Sequence, residues 1–414
     1  MKNGNEIRFE RVRTGERLRE FRETVAVGFL GGTIAPEVWA DAFRPRIDMD
    51  AFDVAVDGRD IVGTFWAFDQ TMTAVGGADV PTRGVSSVVV LPTHRRRGIL
   101  TRFMRDCLRD AAEAGCAAAT LVAAEYGIYG RFGFGPASRA AGFTVDVGAA
   151  DLGDVGGADL RFASGAEYLA ASELVHDAVR IPGKVSRPPR RGERLAGLAL
   201  RDGPDTRRRV VLHRGDGPAG VVAYRAEEKW EGNLPRAEAT VEELLGVDAD
   251  AERTLWRFVA SVDWVTTVHT GPRPVDDPLQ DWASNPRGVV MRDLSDHVWL
   301  RPLDLPALFA ARTYASAGRV VLDVTDPGWG DGPGPAHGRF AFESDGRTGR
   351  CVPSDEPAAD LALDVTVLPR LWLSDDTLGR RVTVGDVREL TPGAAARADA
   401  MLQQSRRPWA VEGF

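Results

Sequence analysis

The chain has 414 residues, of which 43% are hydrophobic, 27% charged and 8% aromatic; this excludes wholesale disorder and fibrous architectures and suggests roughly two to four domains. The net charge of −8 argues against a dedicated nucleic-acid-binding protein, because a phosphate backbone attracts a basic surface. Three scattered cysteines and six histidines without metal-ligand spacing argue against a disulfide framework or a metal site. No run reaches the ~20 apolar residues of a membrane span and the N-terminal segment is polar, so we expect a cytoplasmic protein.

Residues 1–150 are predicted to form a mixed α/β domain. In the helix predicted to open near Gly98 and end at Gly115, apolar residues fall at i, i+3, i+4, i+7, i+8 and i+11, which is the amphipathic helical pattern. Together with the strands on either side of it, this helix makes one βαβ-like unit. The other predicted elements are helices at 14–29 and 37–43, a hairpin of strands 53–56 and 61–68, and strands at 84–91 and 117–124.

Residues 151–290 read as a second domain that repeats the first, after a small, flexible and acidic stretch at 147–160. The repeat comprises a hairpin at 210–213 and 220–225, a strand at 238–247 and a helix at 251–262, followed by a predicted Pro-rich loop at 265–290. Where the first copy has Arg-Arg-Arg-Gly at 95–98, the second has Asp-Ala-Asp-Ala at 248–251 and would repel an anion. Residues 291–414 form the third predicted unit, with strands at 298–300, 319–324, 338–342 and 359–365 and helices at 305–315, 366–372 and 392–404.

The strongest functional signal is the segment 88–100, which reads VVVLPTHRRRGIL. A strand feeds a short basic loop, and Gly98 stands at the start of a helix. The N–H groups of a helix N-terminus point outward and favour an anion, glycine lets the backbone approach that anion closely, and arginines add charged donors. The loop therefore suits a pyrophosphate; a solvated arginine cluster and a nucleic-acid patch are the alternatives.

This loop resembles the acyl-CoA motif of the GNAT acyltransferases, Arg/Gln-x-x-Gly-x-Gly/Ala, which here reads Arg95-x-x-Gly98-x-Leu100 and departs at the last position. Together with the segment 128–136 (IYGRFGFGP), it resembles the Eis (enhanced intracellular survival) family of N-acetyltransferases over essentially the whole chain. The resemblance implies an α/β fold with tandem GNAT-like domains, the second degenerate, followed by a sterol-carrier-protein-like domain. It also implies a homohexamer that acetylates primary amines of aminoglycosides, polyamines or lysine side chains, with acetyl-CoA as co-substrate and no metal.

The same resemblance implies roles for individual residues. Tyr129 corresponds to the general acid, and the carboxylate of the last residue, Phe414, corresponds to the general base. Phe29 and Trp39 would line the acceptor pocket. The implied cofactor contacts are the backbone of Val88, Val89 and Val90 for pantetheine, Arg95, Arg96, Arg97, Gly98, Ile99, Leu100 and Thr101 for the pyrophosphate, and Ala124 and Glu125 at the acyl end.

Simple proton chemistry is compatible with both catalytic roles. An amine with a pKa of ~10.4 arrives protonated and must lose a proton, while a departing thiolate needs one. Other assignments stay open: Tyr129 as a core aromatic with Tyr126 as its rival, His94 or Glu125 as the base, and Phe414 as a docked terminus without catalysis. The family's acceptor pocket has acidic residues, but residues 25–27 and Gly413, where we would expect them, are not acidic. Glu23 and Glu412 are the nearby candidates to replace them. The range of polycationic acceptors therefore stays open.

Two functions of other classes compete with acetyl transfer. The C-terminal unit could bind a lipid or a partner while the GNAT domain is inactive, although its apolar content is ordinary and shows no surplus run for a lipid tunnel. A DNA-associated regulator is suggested only by the arginine runs 95–97 and 207–209, and the negative net charge argues against it.

Overall fold

The computed structural model describes residues 6–31, 48–188, 190–199, 204–330 and 332–414. The helix predicted at 37–43, and with it Trp39, lies outside these residues. The chain divides into two compact units, each assembled from segments distant in sequence. The first unit contains Met1–Ser138, Ile181–Ser186 and Asp296–Phe414, and the second contains Arg139–Arg180 and Arg187–Ser295.

We number the helices and strands in chain order. The first group is β1 (Arg8–Arg11), α1 (Gly15–Gly28), β2 (Phe52–Asp57), β3 (Asp60–Thr73), β4 (Asp79–Val90), α2 (Ile99–Glu113), β5 (Ala118–Val122), α3 (Tyr126–Tyr129), β6 (Gly135–Pro136), β7 (Arg139–Asp146) and α4 (Val147–Ala150). The second is β8 (Asp159–Phe162), α5 (Gly165–Ala178), α6 (Arg191–Ala196), β9 (Arg208–Arg214), β10 (Gly217–Glu227), β11 (Trp230–Glu231), β12 (Leu234–Pro235), β13 (Ala237–Gly246), α7 (Ala249–Ala260), β14 (Val265–Arg273), α8 (Leu279–Trp282) and β15 (Val289–Asp296). The third is β16 (Val298–Pro302), α9 (Leu305–Ala311), β17 (Ala317–Thr325), β18 (Gly338–Asp345), β19 (Gly349–Pro353), β20 (Leu361–Asp364), α10 (Leu368–Trp372), α11 (Leu378–Val384), β21 (Val387–Glu389) and α12 (Ala394–Leu402).

The first unit contains a sheet whose described strands run in the order β1-β2-β3-β4-β5-β16-β6. The predicted hairpin, the predicted strand before the basic loop and the predicted helix after it are all present. β4 and β5 are parallel and joined through α2, as a βαβ unit requires. β16 comes from a distant part of the chain and pairs antiparallel with β5, with Val298 opposite Val122 and Pro302 opposite Ala118.

α2 lies on this sheet through one apolar face. Its buried residues follow the predicted helical spacing and share a core with the sheet residues Phe65, Val85 and Leu121. The helix ends just before Gly115, whose φ of 79° is the left-handed conformation that commonly terminates a helix. The buried residues on α2 are Ile99, Phe103, Met104, Leu108 and Ala111.

The second unit contains a sheet in the order β15-β7-β14-β13-β10-β9-β8, with the predicted repeat of hairpin, strand and helix in β9, β10, β13 and α7. The loop predicted at 265–290 is wrong over Val265–Arg273, which is the strand β14, over Leu279–Trp282, which is the short helix α8, and at its last two residues, where β15 begins. The Gly-Pro pair inside this stretch suggested a loop. The pair falls where the pairing with β7 shifts register, between His269 and Pro272, and glycine and proline are tolerated at such an irregularity of a strand.

The first unit also holds a second sheet, in the order β19-β18-β17-β20-β21, with α9 to α12 beside it. α9 ends at Ala311, four residues before the predicted end of that helix. The large apolar side chains of this region form one core, which includes Phe309, Phe342 and Trp372, and the partly buried ring of Phe414 packs against it. The predicted domain boundaries at residues 150 and 290 remain predictions.

Candidate active site

β4 extends beyond its pairing with β5, because β5 ends at Val122 while β4 continues to Val90. They pair from Thr82 with Ala118 to Val85 with Leu121, and no pairing between them is described beyond that point. On the other side of β4, the register with β3 shifts next to Ser87, whose φ is 52° and whose carbonyl accepts a hydrogen bond of 2.8 Å from the Thr64 hydroxyl. Residues 86–90 of β4, which include this bulge, therefore have no described strand partner on the side of β5, and we call this stretch the gap between β4 and β5. An extended amide chain could bind there as an added strand.

The basic loop follows directly and ends at α2. Arg96 and Gly98 both have left-handed backbone angles, with φ of 63° and 77°, so the loop turns sharply before the helix. No described side chain caps α2, which leaves its first N–H groups open to an anion. Arg95, Arg96, Arg97 and Gly98 are exposed. The chemistry of the loop, three guanidinium groups beside free helix N–H groups, fits the pyrophosphate of acetyl-CoA.

The corresponding helix of the second copy carries its own anion. The Asp248 carboxylate accepts a hydrogen bond of 2.9 Å from the Ala251 N–H at the start of α7. It also pairs with the guanidinium of Arg214, at 2.5 Å. The place taken by the basic loop in the first copy is therefore filled by an internal ion pair in the second.

His94, considered as a base from the sequence, is tied down by its neighbours. Its Nε2 lies 3.1 Å from Oδ2 of Asp57, and its Nδ1 lies 2.8 Å from the Thr93 hydroxyl. Both ring nitrogens thus have partners, Thr93 in the loop and Asp57 at the end of β2. His94 therefore connects the loop to the neighbouring strand.

Tyr129 ends the short helix α3, which follows β5. Its side chain is 7% exposed and packs among the residues of the α2 core, with its ring 6.2 Å from that of Phe134. Burial, assisted by the negative charge of Glu125 and opposed by Arg131, raises the pKa of Tyr129 to about 12. The hydroxyl therefore keeps its proton at neutral pH, as a proton donor must.

The rival tyrosine is placed differently. Tyr126 is 64% exposed, and its ring lies edge-on to Trp299 at 4.9 Å. Ala124 and Glu125, predicted at the acyl end, are exposed in the connection between β5 and α3.

The C-terminal residues pack against other segments of the first unit, to which they belong. The Trp409 N–H donates a hydrogen bond of 2.8 Å to the Pro182 carbonyl, and Trp409, Ala410 and Glu412 are buried. The Phe414 ring lies 5.7 Å from the ring of Phe68 on β3.

The Phe68 ring covers Gly84 of β4. A Cβ at Gly84 would lie 2.6 Å from that ring, so only glycine fits there. Since Gly84 pairs with Thr120 on β5, the C-terminal residue lies near the point where the pairing of β4 with β5 ends.

The C-terminal end of α1 reaches the same region from another side. A Cβ at Gly28 would lie 2.4 Å from Cγ1 of Val89, so the helix backbone lies directly on β4. Phe29, which follows, is 54% exposed. Glu23 is exposed and paired with Arg19 at 3.0 Å.

Comparisons with known proteins give the same architecture. Residues 11–137 and 183–302 each match an acetyltransferase (GNAT) domain, and residues 305–411 match a sterol carrier protein domain. The chain is 34% identical over 357 residues to the N-acetyltransferase Eis of Mycobacterium tuberculosis, covering 82% of this chain and 83% of that protein. The chain belongs to the Eis family of GNAT N-acetyltransferases.

Two further proteins match over nearly the full length. An uncharacterized N-acetyltransferase of Streptomyces griseus is 37% identical over 409 residues, or 95% of this chain and 97% of that protein. The crystal structure of Eis1 from Mycobacterium abscessus superposes with a TM-score of 0.83 at 27% identity, covering 99% of this chain and all of that one. The predicted family, the tandem GNAT fold with its sterol-carrier-like domain, and the acetyltransferase activity are thereby confirmed.

Several features of this Eis-family site carry no local sequence signal. The hydrogen bond from Thr64 to Ser87 that accompanies the bulge and the Phe68 ring that receives the terminus were not predicted. A serine with positive φ has no characteristic neighbours, and a ring contact between residues 68 and 414 leaves no pattern along the chain.

In the part of the chain that the structure describes, no group of three His, Cys, Asp or Glu side chains is arranged to hold a metal ion. No helix within the described ranges is long and apolar enough to cross a membrane.

Proposed function

We propose that this Eis-family enzyme transfers the acetyl group of acetyl-CoA to a primary amine of an aminoglycoside, a polyamine or a lysine-type acceptor. The observation that carries the proposal is the gap between β4 and β5, which ends at the uncapped start of α2. Residues 95–101 would hold the pyrophosphate, and the backbone of Val88, Val89 and Val90 would hold the pantetheine arm. Ala124 and Glu125 would lie beside the acyl end.

The amine attacks the thioester directly in this proposal. A C–N bond forms and the C–S bond breaks. The carboxylate of Phe414 accepts the proton that the amine loses, and Tyr129 donates a proton to the sulfur that leaves. The Tyr129 hydroxyl carries its proton at neutral pH and therefore has one to donate.

Phe29 and Trp39 are proposed to line the acceptor pocket. The exposed ring of Phe29 supports its part of this assignment. We also propose a homohexamer in the cytoplasm.

The lipid-binding alternative has less support. The pocket beside α9 and β18 has a volume of about 430 Å³ and is lined in part by the charged side chains Asp304, Arg339 and Asp355. Charged groups in the wall are unfavourable for a lipid tail, because burying them against hydrocarbon removes their hydration.

The deciding experiment is a CoA-release assay over aminoglycosides, polyamines and lysine peptides, with reactions lacking amine as the control. Mass spectrometry of the best acceptor should show a gain of one or more acetyl groups. Binding of a fluorescent fatty acid to the intact chain, without CoA release from any amine, would favour the lipid-binding alternative.

A further inference from the structure

Arg301 on β16 is a fully buried cation whose hydrogen bonds are incomplete. Its side chain has no exposed surface, and Nη2 donates to both carboxylate oxygens of Asp326 at 2.8 Å. Nε and Nη1 have no hydrogen-bond partner among the described residues. Burial lowers the pKa of Arg301, and the charge of Asp326 opposes this shift.

Asp326 is held firmly from the other side. Its carboxylate accepts hydrogen bonds from the N–H groups of Gly328 at 2.9 Å and Ala336 at 3.1 Å. It is 1% exposed and lies just after β17, in the region matched by the sterol carrier protein domain. The guanidinium is therefore tied to a fixed point outside the GNAT segment.

The free face of the guanidinium lies against the turn that follows Tyr129. Gly133 in this turn has φ 79° and donates a hydrogen bond of 2.8 Å to the Gly130 carbonyl. A Cβ at Gly133 would lie 2.4 Å from Nη1 and 2.6 Å from Cζ of Arg301. The backbone of the turn is thus in direct contact with the buried cation. The ring of Trp329 lies 5.0 Å from Cζ.

The free energy of folding alone does not explain the buried ion pair of Arg301 and Asp326. A buried ion pair is often no better than apolar side chains of the same volume, and buried N–H groups without partners add a cost. The pair can instead fix the position of the guanidinium, and with it the turn at Gly133, since a displaced guanidinium would lose both hydrogen bonds to Asp326.

We infer that Arg301, anchored by Asp326, is a positioning residue that sets the turn carrying Tyr129 and thereby places its hydroxyl at the reacting sulfur. The inference rests on the proposed role of Tyr129 as the general acid. It makes a residue of the sterol-carrier-like domain, Asp326, necessary for chemistry in the GNAT domain.

The test uses the double variant Arg301→Met/Asp326→Asn, which removes both charges and leaves neither one buried alone. We expect kcat to fall at least tenfold, with the KM for acetyl-CoA nearly unchanged. Arg301→Lys, which keeps a cation near Asp326, should recover part of kcat. Arg312→Met is the matched control: Arg312 is equally buried but donates to the carbonyls of Leu371 and Leu402. It should lower the melting temperature without a selective loss of kcat.

Combining the Arg301→Met/Asp326→Asn variant with Tyr129→Phe distinguishes a positioning role of Arg301 from a structural one. If Arg301 acts through the hydroxyl, the double variant should cost little further kcat once that hydroxyl is gone. An additive loss, or equal falls in kcat and melting temperature in the Arg301 and Arg312 variants, would overturn the inference. Should the double variant not fold, Arg301→Lys, which keeps a cation beside Asp326, must show the same non-additivity with Tyr129→Phe.

Failure of the proposed function has a different signature. If Tyr129→Phe alone leaves kcat unchanged, the acid is misassigned and the inference falls with it. If Tyr129→Phe lowers kcat and the Arg301 variants do not, only the positioning role is wrong.

Discussion

The ring of Phe414 stands edge-on to the ring of Phe68, with centroids 5.7 Å apart and planes at 84°. This geometry is the preferred one for two aromatic rings and contributes about 0.5–1.5 kcal/mol beyond burial. It gives the final residue a defined place on β3, whereas chain ends are usually frayed.

Moving the terminal carboxylate should therefore reduce catalysis. Deleting Phe414 withdraws the carboxylate by about 3.3–3.6 Å of chain, and appending residues after Phe414 removes it from the site. We expect both changes to lower kcat strongly; the extension should leave the melting temperature nearly constant, and the deletion should lower it only slightly, through loss of the ring pair. An N-terminal tag should be harmless and serves as the control. Full activity of the extended chain would refute the base assignment and turn attention to Glu125.

Negative charge in the basic loop should weaken acetyl-CoA binding. Arg96→Glu and Gly98→Asp place a carboxylate beside the proposed pyrophosphate, and calorimetry should show a loss of about tenfold or more, or ~1.4 kcal/mol. Gly98→Ala is the control for backbone strain: like Gly98→Asp it puts a side chain at a left-handed φ, but it adds no charge. A Cβ at this position meets no described atom within 4 Å. Arg208→Glu, on an exposed residue of β9, is the control for net charge. Equal affinity in all four variants would remove the cofactor assignment.

Removing the Tyr129 hydroxyl should slow the reaction without unfolding the protein. For Tyr129→Phe we expect a fall in kcat of roughly 10²–10⁴, the usual contribution of a general acid, with little change in acetyl-CoA affinity. Tyr126→Phe is the matched control, since that side chain is largely exposed. The opposite ranking of the two variants would identify Tyr126 as the acid.

Asp53 on β2 should make stability depend on pH. Burial raises its pKa from 3.8 to about 6, with Arg11 opposing, so the folded state binds this proton more tightly than the unfolded state. Stability that is present below the unfolded pKa is therefore lost as pH rises through about 6. Asp53→Asn should stabilise the protein at pH 8, on the order of 1 kcal/mol given that the side chain is partly exposed, and bring no gain at pH 4. Equal gains at both pH values in thermal unfolding would contradict this.

The sequence predicts the features that are encoded locally. The helix α2 follows from apolar spacing over consecutive turns, and the anion loop follows from a strand, three arginines and a glycine in one run. The strand β14 was missed because a Gly-Pro pair normally marks a loop, and its register shift depends on the partner strand. The contact of Arg301 with Gly133 is equally unpredictable, since a side chain on β16 reaches a turn that lies far away in the sequence.

The position of β16 between β5 and β6 has a consequence for synthesis of the protein on the ribosome. β16 supplies the partner of β5 on one side, with Val298 opposite Val122. That side of β5 therefore stays unpaired while about 180 further residues are synthesised. At about 5–20 residues per second this lasts roughly 10–40 s. During that interval the nascent GNAT segment presents an open, apolar strand edge, which is a site for aggregation or chaperone binding. The first sheet can close only after most of the chain has been translated.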